Sequence, residues 1–141
     1  MSPLTTLFSF TGRLNRARYW LSSAAVVIAV LICIGIAFAI DLATPAKVAL
    51  FLLLFVALIW IALALAIKRL HDRDKSAWWV LMFYLAPSIL QTIGQDTTGS
   101  TRSVLMILIG TGISIWGFVE LGFLRGTAGQ NSYGPDPLPI R

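Results

Sequence analysis

Apolar positions along this chain do not alternate with polar ones at a short period; they run together in long blocks. Predominantly apolar stretches occupy residues 21–40, 48–67, 78–93 and 104–124, and the charged positions gather in the segments between and beyond them. A helix rising about 1.5 Å per residue covers roughly 30 Å in twenty residues, the thickness of a bilayer's hydrocarbon core. Hydrocarbon offers exposed backbone no hydrogen-bonding partner, so stretches of this length predict helices. The expectation is an all-α membrane protein of four transmembrane helices with a short interfacial N-terminal segment. It forms a single membrane domain over 1–137, with residues 125–141 as its tail.

The third stretch is the weakest. It is short, carries Pro87 near its middle, and includes Tyr84, Ser88, Gln91 and Thr92. A re-entrant element is one reading and a kinked crossing the other. Proline in a membrane helix is tolerated where nearby groups satisfy the freed carbonyl, which favours the kink, with Ser88 or Tyr84 helping. The first stretch ends in Ala37-Phe38-Ala39, the form of a signal-peptidase site, behind Arg13, Arg16 and Arg18. Its apolar length exceeds a usual signal core and further spans follow at once, so it is expected to be retained.

Composition sharpens the class. The chain is 57% hydrophobic and 12% charged, with a mean hydropathy of +0.83, whereas about a quarter of residues are charged in soluble domains. Charge supplies the orientation. With four spans, Arg13, Arg16, Arg18, Lys68, Arg69, Arg73, Lys75, Arg125 and Arg141 fall on one side, and Lys47 and Arg102 on the other. The positive-inside rule makes the first side cytoplasmic, with both termini there. The same distribution explains the net charge of +5 without nucleic acid, which is not expected as a partner. Tyr19, Trp20, Trp78 and Trp79 at the span ends read as interfacial anchors.

The single cysteine, Cys33, excludes an intramolecular disulfide, and no cofactor or metal set is evident. In the fourth stretch Gly110, Ser114 and Gly117 share a stripe, followed by Gly122 and Gly126; small residues so placed let helices approach closely. Ala25 and Ala29, and the alanines of the second stretch, are possible partner surfaces. Asn15 is positioned to cap the first long helix, and Asp74 or Ser76 the third. Glu120, about one turn inside the end of the fourth stretch, is expected to pair with Arg125 or an N-terminal arginine.

Three polar segments hold the remaining information. They contain Gly12-Arg13 with Arg16 and Tyr19-Trp20; Arg69-Leu70-His71-Asp72 followed by Asp74-Lys75-Ser76-Ala77-Trp78-Trp79; and Gly129, Asn131 and Tyr133-Gly134-Pro135-Asp136-Pro137. In order and content these resemble the three signatures of the bacterial YhaH-like inner-membrane family, a domain of unknown function, over almost the whole chain. The resemblance implies a small inner-membrane protein with cytoplasmic ends, and no established activity, substrate or cofactor. Lys68 and Lys75 stand where arginine is common in that family, and lysine lacks the bidentate fork.

On this reading all three segments share one side and form a small cap or groove. Asp72 is then an acceptor for Arg13 or Arg16, and Asp136 for Arg69 or Arg73, as exposed pairs each contributing ~0–1 kcal/mol. Arg13, Arg16, Arg69, His71, Asp72, Arg73, Asn131, Tyr133 and Asp136 are the residues expected to hold an anion or a partner. The expected role is non-enzymatic: a binding or organising component whose basic face meets anionic membrane lipid or a partner protein, with a homo-oligomer possible. A small oligomeric transporter or channel is the alternative. A lipid-headgroup enzyme using His71, Asp72 and Asp74 is disfavoured, because adjacent side chains diverge on a helix and no second histidine exists.

Overall fold

A computed structural model describes residues 3–40, 43–96 and 99–138; Asp41 and Arg141 lie outside them. Described residues are helical or irregular, apart from an isolated bridge between Asn131 and Gly134. The helices are α1 (Pro3–Phe8), α2 (Arg16–Ala39), α3 (Thr44–Asp72), α4 (Ala86–Asp96) and α5 (Thr101–Gly122), with a π-helical turn at Leu81–Leu85 leading into α4. Three of them, α2, α3 and α5, are long and apolar enough to cross a membrane, not four.

Helix boundaries follow local chemistry. Gly12 turns the chain at φ 88°, and Asn15 then caps α2, its side chain accepting from the Arg18 amide at 2.9 Å. Ser100 caps α5 in the same way through the Ser103 amide at 3.1 Å. Pro45 sits in the first turn of α3, where its missing N–H costs no bond. Asp74, one of two residues expected to cap the next helix, instead takes the left-handed conformation at φ 57° and turns the chain out of α3.

The third stretch departs most from expectation. Helical geometry runs over 79–96, but Leu81–Leu85 is π-helical and Pro87 stands two residues beyond it. Proline removes the N–H that would bond four residues back and its ring crowds that carbonyl; a π-turn widens the backbone there. Ser88 donates to the Tyr84 carbonyl at 2.7 Å, and Thr92 to that of Ser88 at 2.9 Å.

Small residues set the pairing of this run with α5. A Cβ on Gly94 would meet Ile107 at 2.7 Å, one on Gly110 would meet Gln91 and the Pro87 carbonyl at 3.2 Å, and one on Gly117 would meet Phe83 at 2.9 Å. Contacts at 94 with 107, 87–91 with 110, and 83 with 117 define an antiparallel hairpin. The small-residue stripe of α5 is thus spent within the chain. By contrast α2 and α3 touch sparingly, as where Phe38 meets Phe51 with centroids 6.1 Å apart.

The start of α2 and the ends of α3 and α5 converge at one end of the molecule. Most of the buried apolar core lies there, including Leu14, Ala66, Leu70, Val80, Phe83 and Leu121.

Candidate functional site

The last carbonyls of a helix have no partner within it and carry the negative end of its dipole. At the end of α5 these groups meet a ring of donors. Arg69 Nε donates to the Leu121 carbonyl at 2.8 Å, Trp20 Nε1 to Gly122 at 2.9 Å and Arg16 to Phe123 at 3.3 Å. Arg69 also reaches the Leu124 carbonyl and Arg73 that of Arg125. Donors from α2 and α3 therefore close α5.

Asp72 joins this ring to the N-terminal segment. Its Oδ2 accepts from Arg69 Nη1 at 2.5 Å and its Oδ1 from Arg13 Nε at 3.2 Å. All three residues are buried, at 4% exposure for Arg13, 0% for Arg69 and 2% for Asp72. The expected pairing of Asp72 with Arg13 is present, but inside the protein rather than at its surface. Two guanidinium groups on one carboxylate leave an excess positive charge, which carbonyl oxygens solvate. Removing three charges from water costs roughly several kcal/mol per ion, which hydrogen bonds to the remaining donors must offset. Each buried side-chain nitrogen and oxygen among the described residues has at least one partner.

The tail supplies the rest of the solvation. Arg13 Nη1 donates to the Gly129 and Gly134 carbonyls at 2.5 and 3.2 Å, and Nη2 to Thr127 at 2.5 Å. The Asp72 carbonyl accepts from the Thr127 amide at 2.8 Å. Asn131 donates to the His71 carbonyl at 2.8 Å and to Thr127 Oγ1 at 2.9 Å. The His71 ring stacks on Tyr133 at 3.9 Å and 5°, and its Nδ1 lies 3.3 Å from the Gly12 carbonyl, a bond that needs the Nδ1–H tautomer. Gly126 is where the tail passes closest: a Cβ there would lie 2.1 Å from Asp72 Oδ2.

Eight of the nine expected site residues meet in this assembly, and Arg16 borders it. Several partners differ from expectation. Arg16 binds the Phe123 carbonyl instead of Asp72. Asp136 reaches neither Arg69 nor Arg73; its Oδ2 accepts from the Gly129 amide at 3.0 Å and its Oδ1 from Leu138 at 2.9 Å. Those two N–H groups hold its carboxyl below the usual aspartate range. Glu120 pairs with Arg73 at 3.0 Å and Lys75 at 3.1 Å, not with Arg125 or an N-terminal arginine. Lys75 also lies over the Trp79 ring, 4.4 Å from its centroid.

Lys68, Gly126 and Thr127 also build this end of the molecule, beyond the nine expected site residues. Fully buried Lys68 ties α1 to α3 by donating to the Thr5 carbonyl at 3.0 Å and to that of Thr6. A lysine at the end of an apolar helix reads as a solvated charge, and only the fold of α1 across it says otherwise. Gly126 does stand on the glycine spacing of the fourth stretch, which was a usable signal. Among the described residues no three His, Cys, Asp or Glu side chains gather as a metal-ligating group.

Long, outwardly apolar helices tied at one end by buried charge define a multi-pass membrane protein. The family model described as "Protein of unknown function (DUF805)" matches residues 7–135, and the chain belongs to that family. It is 32% identical over 139 residues to Inner membrane protein YhaI of Escherichia coli (strain K12), covering 97% of this chain and 92% of that protein. Uncharacterized protein YiiR of the same organism is 28% identical over 137 residues, covering 96% and 90%. Inner membrane protein YhaH is 32% identical over 74 residues, 52% of this chain and 40% of that one. No solved structure matches the chain.

Proposed function

We propose that this protein is a non-enzymatic organising component of the inner membrane whose charged end faces the cytoplasm and meets the anionic leaflet. The observation that carries this reading is a division among the cations. Arg13, Arg69 and Lys68 are buried and join segments of the chain, so the anion that Arg13 and Arg69 hold is the protein's own Asp72. Arg16, Arg18 and Arg125 remain exposed on the rim, beside apolar helix faces. Basic residues at an anionic surface contribute about 1 kcal/mol each, enough for three to bias which lipids collect there. A partner protein with an acidic surface would use the same rim.

The proposed topology keeps four crossings. The helical run over 79–96 is about 27 Å long by its residue count and leads from the charged end to the start of α5, which returns. Single cysteines at Thr44, Ser76 and Ser132 in a Cys33→Ser background test it. Ser76→Cys and Ser132→Cys are expected to be shielded from outside reagents while Thr44→Cys is labelled, and external labelling of Ser76→Cys would overturn the orientation.

Native mass spectrometry of the gently extracted wild type beside an Arg16→Gln/Arg18→Gln/Arg125→Gln variant tests the role. Retained anionic lipid, or an acidic protein, that falls away in the variant supports the reading; identical adducts overturn it. The alternative, a small transporter, draws on a crevice of about 330 Å³ bordered by Tyr84, Ser88, Gln91 and Ser114. Flux across liposomes indistinguishable from empty vesicles would remove it.

A further inference from the structure

The face of α2 carrying Arg18, Leu21, Ser22, Ala25 and Ala29 forms one wall of an open cleft of about 480 Å³ whose other wall is α1, through Leu7. Among the described residues, no spanning helix besides α2 itself lines this cleft. These α2 positions follow i, i+3, i+4, i+7 and i+11, a single stripe. Small side chains at 22, 25 and 29 hollow the wall, and the Lys68 bonds to the Thr5 and Thr6 carbonyls hold α1 against α3 rather than letting it close onto α2. From Arg18 to Ala29 the stripe extends about 16 Å along the helix, close to half of a 30 Å hydrocarbon core. The cation stands at the charged end of the cleft. Its backbone is fixed by the Asn15 cap, and its side chain enters none of the ion pairs of that end among the described residues.

We infer that this cleft is a binding site for one anionic glycerophospholipid, its phosphate at Arg18 and one acyl chain lying along Ser22, Ala25 and Ala29 under Leu7. Length and charge select this occupant. The cleft starts at a cation at interfacial depth and ends near the bilayer midplane, the reach of a lipid in one leaflet. This site rests on the proposed orientation toward an anionic leaflet and narrows it from a basic rim to one position. Ala25 and Ala29 are also spaced as a helix–helix contact, which makes a second copy of the chain the competing occupant.

The test is native mass spectrometry of the full chain in detergent, titrated with phosphatidylglycerol or with phosphatidylcholine of the same acyl chains. Wild type is expected to retain one phosphatidylglycerol with a preference of about fivefold. Arg18→Gln is expected to erase the preference while still holding lipid. Ala25→Leu/Ala29→Leu fills the cleft and is expected to retain neither lipid, with helix content and monodispersity unchanged. Arg16→Gln/Arg125→Gln is expected to lose only further, more weakly held phosphatidylglycerol at the rim and to keep the preference at the single retained site. An undiminished preference in Arg18→Gln, a lipid-exposed change that leaves folding intact, overturns the site. Loss of preference only in Arg16→Gln/Arg125→Gln overturns the cleft and leaves the basic rim standing, and no change in any variant overturns both. A wild-type dimer that the leucine pair abolishes would make a second copy the occupant and overturn the lipid assignment.

Discussion

The two ends of the helices are built on different physics. At the charged end the chain packs as a soluble core does, with Leu14, Leu70 and Leu121 buried around Arg13, Arg69 and Asp72. Away from it, α2 and α3 present Leu31, Ile32, Leu52, Leu53 and Phe55 outward. Lipid is as apolar as leucine, so burying leucine against leucine there gains little; specificity must come from close approach of small residues and from hydrogen bonds. The hairpin of α4 and α5 uses the first device, and the charged end uses the second. Where neither is present, along α2, a cleft remains.

Removing Asp72 should break this contrast most severely. Asp72→Ala leaves two buried guanidinium groups without their carboxylate, and a loss of ~3–5 kcal/mol is expected, as for other buried pairs with one partner deleted. Size-exclusion profiles and unfolding of purified protein would register it. Gly126→Ala addresses the same point without altering charge. Its methyl would occupy the position of the Asp72 carboxylate, and displacing the tail should cost about 1–3 kcal/mol, the range for overpacking.

Gly117→Ala tests the other device. Its Cβ would lie 2.9 Å from Phe83, so a loss of roughly 1–3 kcal/mol is expected, partly recovered by Phe83→Ala in the same chain. If Gly117→Ala were neutral, close helix approach would not be what holds the hairpin. Glu120→Gln should matter less. Arg73 and Lys75 are about a quarter exposed, at 25% and 24%, and water can replace much of what they lose, so about 1 kcal/mol or less is expected in unfolding experiments.

The smallest effect concerns pH. Because two backbone N–H groups depress the folded-state pKa of Asp136, its contribution is complete above the unfolded value, ~3.9, and is lost as pH falls through the folded one. The stability difference between wild type and Asp136→Asn should therefore be present at neutral pH and vanish in acid. A difference that grew on acidification would contradict that assignment.

Much of this was legible in the residues. The apolar blocks located α2, α3 and α5, Asn15 announced its cap, and the clustering of basic residues indicated which segments meet. Charge patterning also offered Arg13, beside Arg16, as a partner for Asp72, and Arg13 is the one that binds it. The identity of the other partners was not legible, because Glu120, Arg73 and Lys75 lie on different elements and helical periodicity fixes a face, not a neighbour. Burial of the pairs was hidden for a related reason: it depends on the tail from Gly126 to Asp136, which has no apolar period and docks through backbone carbonyls. The shortened third stretch shows the limit of counting apolar residues, since Pro87 and the polar residues around it replace continuous hydrophobicity with a π-turn and a glycine-guided hairpin.

The most direct test of the account is a double-mutant cycle between Arg13 and Asp72, using alanine at each position and at both, read by unfolding in mixed micelles. Residues 59 positions apart that share a buried bond should be coupled, by about 1–3 kcal/mol. Additivity within roughly 0.5 kcal/mol would mean that the N-terminal segment is not held to α3 through this pair.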